Sequence, residues 1–137
     1  MPMGKKKIAL LCLLLVVAVS PLVLLSTWCI RKFENQAVQH PERSGSPRLL
    51  LRVAWIYKSS FRPDDAKRAY QSFYAVFPEH PEAIDAHWRY VLLVKDTESR
   101  QNTGEQLRVF VHKWGGTPQY KLYEKEVQRT FFYIKRL

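Results

Sequence analysis

An uncharged apolar run of 23 residues, IALLCLLLVVAVSPLVLLSTWCI at residues 8–30, constrains this chain more than any other feature. As a helix rising about 1.5 Å per residue, the run would extend about 35 Å, enough to cross a bilayer core. Three lysines precede it, and Arg31 and Lys32 follow, so charges stand at both ends. The sequence therefore predicts a transmembrane signal anchor at 8–30 behind a short cytoplasmic tail at 1–7.

A cleaved signal peptide shows the same pattern, and cleavage would leave a secreted soluble helical binding protein. The small residues before Pro21 offer a poor cleavage site, because proline would follow the cut and the apolar run continues past it. Since the N-terminal tail is so short, we expect it to stay cytoplasmic. The rest of this single-pass membrane protein would then lie on the exported side, periplasmic or luminal.

The remainder of the chain is basic. Residues 31–137 hold 19 of the 22 basic residues and all 12 acidic ones, a formal charge of +7. This balance favours anionic partners, including acidic lipid headgroups. Both cysteines, Cys12 and Cys29, lie in the apolar run, so no thiol remains elsewhere for a disulfide, a nucleophile or a metal.

Prolines, glycines and candidate capping residues divide residues 31–137 into a linker and several helices. Residues 31–46 are polar, contain Pro41 and Gly45, and predict a linker. Prolines then stand where helices can begin, Ser46 and Thr117 are candidate caps, and Thr103 with Gln106 has the spacing of a capping box. The predicted helices are roughly 47–60, 63–77, 81–96, 104–114 and 118–136.

The apolar spacing within these segments is helical, for example at Leu50, Val53, Ala54 and Tyr57. Connections of two to eight residues would make neighbouring helices antiparallel. The predicted fold class is therefore all-α, with a single N-terminal transmembrane helix followed by a stack of about five helices arranged as hairpins. An ordinary helical bundle would show the same spacing.

The segment AKRAYQSFYAVFPEHPEAIDAHWRY resembles tetratricopeptide repeats of bacterial envelope proteins, with a small residue, then aromatics, then a proline-marked turn at Ala66, Tyr70, Phe73 and Pro78. The resemblance covers residues 48–95 and, with fewer matching positions, 103–130. It implies a tetratricopeptide-like helical domain at 47–137 that mediates protein–protein interaction. It also implies that first helices line a concave groove, which would place Arg52, Trp55 and Arg89 near a bound peptide.

Reaction chemistry has no recognised signature in the chain. The histidines form no catalytic set, and HPEAIDAH spaces its polar residues poorly for a metal. We therefore expect no enzyme, no cofactor and no small-molecule substrate. Glu124 and Glu126 dilute the basic and aromatic C-terminal stretch, so nucleic acid is not expected as a partner, although a basic lipid-surface or nucleic-acid binder remains an alternative.

Three consecutive aromatics, Phe131, Phe132 and Tyr133, cannot all face one core from a helix. At least one should meet solvent, a partner or the membrane surface. Together with the residues above, they are the candidate partner-binding sites. The function we expect is a membrane-anchored scaffold or accessory subunit that binds other subunits of a membrane or envelope complex.

Overall fold

The computed structural model describes the backbone of residues 5–136 and the side chains of residues 8, 9, 12–16 and 26–136. In this part of the chain the fold is all-α. All of the predicted tail at 1–7, and residues 10, 11 and 17–25 of the predicted anchor, lie outside the described side chains. The helices are α1 (Lys5–Gln39), α2 (Ser46–Ser59), α3 (Pro63–Val76), α4 (Ala83–Thr97), α5 (Arg100–Trp114), a 3₁₀ helix (Pro118–Leu122) and α6 (Glu124–Lys135).

The stretch 31–46, which we expected to be a linker, is helical as far as Gln39. Helix α1 continues because no glycine or proline occurs between Arg31 and Val38, and because Ala37 is fully buried against the following helices. Only residues 40–45 connect α1 to α2. Within the part of the chain that the structure describes, no helix is both long and apolar enough to cross a membrane.

The next three helices begin and end within about two residues of the predicted positions. Pro47 and Pro63 lie in the first turns of α2 and α3, where a missing N–H costs no hydrogen bond. Ser46, predicted as a cap, instead donates its hydroxyl to the carbonyl of His40 at 2.6 Å and closes the α1–α2 connection.

The last two helices differ more from the prediction. Helix α5 begins at Arg100, because Ser99 accepts a hydrogen bond from the Asn102 amide at 3.2 Å and caps it one turn earlier than Thr103. The predicted helix 118–136 is divided into the 3₁₀ helix and α6. Three residues per turn place Tyr120 and Tyr123 on the same side, where both rings pack against Phe110.

Two apolar clusters hold the helices together. The first joins α1 to α2, α3 and α4, and the second joins α4 to α5 and α6. Ala66 and Ala69 of α3 are fully buried, which allows α3 to approach its neighbours closely. Successive helices run antiparallel, and Lys67, near the start of α3, contacts Glu98, just beyond the end of α4, at 2.5 Å.

Candidate functional site

A buried carboxylate joins α1 to the helical stack. The side chain of Glu34 is nearly inaccessible, and it accepts a hydrogen bond from the Tyr57 hydroxyl at 3.0 Å. It also accepts two from Arg68, from Nε and from Nη2, both at 3.1 Å. This forked pairing of a guanidinium with a carboxylate is strong and directional. It fixes α1 against both α2 and α3.

A second carboxylate extends the arrangement towards the apolar run. Asp65 accepts from Arg68 at 2.8 Å and from Arg62 Nε at 2.7 Å. Arg62 also donates from Nη1 to the Thr27 hydroxyl at 3.3 Å, and its guanidinium lies 4.7 Å from the centre of the Tyr57 ring. We call these six residues the Glu34 cluster: Thr27, Glu34, Tyr57, Arg62, Asp65 and Arg68.

The contacts of the Glu34 cluster shift the pKa values of Tyr57, Asp65 and Arg68. Burial, together with the hydrogen bond to Glu34, raises the pKa of Tyr57 to about 12, so the phenol remains a donor at neutral pH. Burial alone would raise the pKa of Asp65, but the hydrogen bonds from Arg62 and Arg68 lower it overall. The hydrogen bond to Glu34 raises the pKa of the Arg68 guanidinium. The cluster is therefore suited to holding helices in place rather than to moving protons.

One solvent-open groove of about 740 Å³ runs along the polar half of α1. Trp28 is 61% exposed at one end, with the Lys32 ammonium 5.2 Å from its ring centre. The other lining residues are polar or cationic: Arg31, Asn35, Gln36, Gln39, His40 and Arg43. Such a surface suits anionic groups.

A second open groove, of about 580 Å³, lies between α5 and α6. Gly104 forms part of its floor, where an added Cβ would meet only Ile134 Cγ2 at 3.9 Å. Phe131 and Phe132 contribute apolar surface, and Arg108 and Lys135 contribute positive charge. We call this the α5–α6 groove. Its mixture of aromatic and cationic groups is typical of protein interfaces.

The predicted aromatic row lies largely at the surface. Phe131 is partly buried against the second apolar cluster, whereas Phe132 is 60% exposed. Tyr133 is also exposed, and its ring lies 5.3 Å from the Lys95 ammonium and 5.0 Å from the Arg100 guanidinium. Phe131 and Phe132 therefore both line the α5–α6 groove. Tyr133 instead packs against Lys95, near the end of α4, and Arg100, at the start of α5.

The residues predicted to line a peptide groove lie on two separate helices. Arg52 and Trp55 are exposed on α2. Arg89 is exposed on α4, where its Nε donates to Asp85 at 2.5 Å. None of the three lines either groove described above, so their role in binding a peptide stays a prediction.

The second histidine of HPEAIDAH is a core residue. His87 is fully buried, stacks on Tyr74 at 4.1 Å, and accepts at Nδ1 from the Trp114 indole N–H at 2.9 Å. Burial lowers its pKa to about 4, with a further contribution from the charge of Lys113. Across the described residues, no group of three His, Cys, Asp or Glu side chains is placed to hold a metal ion.

The Glu34 cluster was not predicted from the sequence. Glu34 and Arg68 are 34 positions apart and carry no motif, so their pairing depends on the α1–α2–α3 packing itself. Phe61, exposed in the α2–α3 turn, was also missed. No protein-family model matches the chain, and no curated protein or solved structure matches it significantly.

Proposed function

We propose that this chain is a single-pass, membrane-anchored helical-repeat scaffold, or accessory subunit, that binds another protein of a membrane or envelope complex. The observation that carries the proposal is the Glu34 cluster, which joins α1, just beyond the apolar run, to α2 and α3. A scaffold needs such a connection to hold its partner-binding surface at a fixed distance from the membrane and in a fixed orientation.

The apolar run supports the anchor. The described side chains at positions 12–16 are all exposed, among them Leu13, Leu14, Leu15 and Val16. Consecutive helical positions are about 100° apart, so five of them sample every side of α1. An apolar helix exposed all round is stable in lipid, where its backbone hydrogen bonds are satisfied internally.

The α5–α6 groove supports the choice of a protein partner. Its aromatic floor and cationic rim suit the apolar face of an amphipathic helix that carries acidic flanking residues. In the repeat interpretation, α2–α3 and α4–α5 form two hairpins and α6 closes the stack. The exposed side of α6, with Phe132 at its centre, is then where a further helix would add.

Purification of the full-length, tagged protein from its native membrane in mild detergent tests this proposal. The wild type is compared with Phe132→Glu and with Leu122→Glu, a matched control at an 81% exposed position in the 3₁₀ helix. We expect a membrane protein to co-purify in stoichiometric amount with the wild type and the control, and to be lost with Phe132→Glu.

Two results would contradict the proposal in different ways. If the co-purified protein is retained by Phe132→Glu, the partner site lies elsewhere. If alkaline extraction releases the chain from membranes and its N-terminus begins beyond residue 20, the anchor is wrong and the secreted alternative is correct. Binding of the purified protein to nucleic acid in a salt-sensitive manner would favour the remaining alternative.

A further inference from the structure

Phe61, in the turn between α2 and α3, is an aromatic residue whose side chain is 95% exposed. Its backbone has a φ of 56°, in the left-handed region that bulky residues rarely adopt. The turn would form at lower cost with glycine or asparagine at this position. Neither burial in the core nor the requirements of the turn explain a phenylalanine here.

The position of the turn along α1 supplies an explanation. Arg62, the next residue, donates to the hydroxyl of Thr27, which belongs to the last turn of the apolar run 8–30. The α2–α3 turn is therefore level with the end of that run. Trp28, exposed on α1, lies at the same height because it directly follows Thr27.

Charges at this level are arranged for an anionic surface. Arg31, Lys32 and Lys58 are exposed around the end of the apolar run. Asp65 is neutralised within the protein because it accepts from Arg62 and Arg68, and Asp64, although its side chain is 89% exposed, pairs with Lys67 at 2.9 Å. Exposed aromatics bordered by lysine and arginine are characteristic of the interface between lipid tails and headgroups.

We propose that Phe61 and Trp28 insert together into the interfacial layer of the bilayer on the side where α1 leaves it, so that the α2–α3 turn is a second membrane contact. The lipid headgroup region is the occupant of this surface. The inference rests on the proposed anchor. A helix alone leaves the stack free to rotate about the α1 axis and to tilt, whereas a second contact at the turn fixes both.

Fluorescence quenching in reconstituted vesicles tests this contact. In full-length protein carrying Cys12→Ser and Cys29→Ser, single cysteines are introduced by Phe61→Cys, Leu14→Cys or Leu122→Cys and labelled with an environment-sensitive fluorophore. The vesicles contain phosphatidylcholine and phosphatidylglycerol, with a spin-labelled lipid that quenches at shallow depth or, for position 14, one that quenches near the bilayer centre. We expect blue-shifted, quenched emission at positions 61 and 14, and solvent-like, unquenched emission at position 122.

The outcomes separate this inference from the proposed anchor. Solvent-like emission at position 61 with quenching at position 14 would overturn the second contact and leave the anchor standing. Absence of quenching at position 14 would remove the anchor, and the inference with it. Quenching at position 122 would show that the whole stack lies on the surface, which also contradicts a contact confined to the turn.

A second label keeps the native phenylalanine in place. Ser60→Cys carries the fluorophore beside Phe61, and this labelled protein is compared with one that carries the additional change Phe61→Ser. We expect the quenching at position 60 to decrease when the aromatic ring is removed. Equal quenching with and without the ring would overturn its role in insertion.

Discussion

Among single residues, Phe61 combines an unfavourable backbone conformation with an exposed side chain. We predict that Phe61→Asn raises the free energy of unfolding by about 0.5–1 kcal/mol, because asparagine tolerates the left-handed region and the ring buries almost no surface against the rest of the protein. Urea unfolding of the full chain in mild detergent measures the change. Phe132→Asn, at an exposed helical position, should bring no such gain, and a loss of stability with Phe61→Asn would indicate that the ring is buried, either against the protein or in the detergent micelle.

His87 makes the stability of the fold sensitive to acid. Its pKa falls from an ordinary 6.5 to about 4 on folding, so between these pH values the unfolded state binds more protons than the folded state. We predict that the free energy of unfolding falls by about 2 kcal/mol between pH 7 and pH 5. His87→Gln keeps an acceptor for Trp114 without titrating. Chemical denaturation at both pH values should show the decrease in the wild type only, and an equal decrease in the variant would assign it to other groups.

At the level of helices, the close approach of α3 to its neighbours depends on small side chains. Ala69 is fully buried, whereas Ala75 is exposed on the same helix. We predict that Ala69→Leu destabilises the protein by about 1–3 kcal/mol through overpacking, and that Ala75→Leu changes stability by less than about 0.5 kcal/mol. Thermal unfolding measures both. Equal effects of the two changes would contradict the tight packing of α3.

The sequence predicted helices where local signals and packing agree. Pro47 and Pro63 mark real helix starts, because proline in a first turn is favourable whatever packs around it. The sequence did not predict a helix over residues 31–39. The inward-facing position there is occupied by the buried Glu34, and an acidic residue does not indicate a buried helix face as an apolar residue would. Nor did the sequence predict the 3₁₀ helix before α6, because stacking of Tyr120 and Tyr123 on Phe110 depends on tertiary contacts.

The candidate sites of the whole molecule also divide into those that the sequence could predict and those that depend on how the helices pack. Exposure among Phe131, Phe132 and Tyr133 could be predicted because three consecutive positions cannot share one face of a helix. The α5–α6 groove and the Glu34 cluster could not, since each joins residues of different helices through packing geometry. Long-range polar pairs have no sequence period, so only the folded chain reveals them.

At the scale of the whole molecule, the attachment of α1 to the helices that follow it can be tested by removing the Glu34 carboxylate. Glu34→Ala removes the acceptor of the Tyr57 hydroxyl and leaves Arg68 only its bond to Asp65, so it should lower the free energy of unfolding by about 2 kcal/mol. The loss is smaller than for a fully buried pair, because the Arg68 side chain is 46% exposed. We also predict that α1 becomes mobile relative to the stack.

Pulsed electron spin resonance measures this mobility as the width of a distance distribution between two spin labels. One label is attached to the native Cys29 of α1 and the other to a cysteine introduced by Leu122→Cys. Cys12→Ser removes the other native thiol. A single narrow distribution is expected for the wild type and for Glu79→Ala, which removes an exposed carboxylate from the α3–α4 connection. Glu34→Ala should broaden it. If the distribution stays narrow, the apolar contacts of Ala37 and its neighbours suffice to hold α1, and the Glu34 cluster is not what fixes the anchor to the stack.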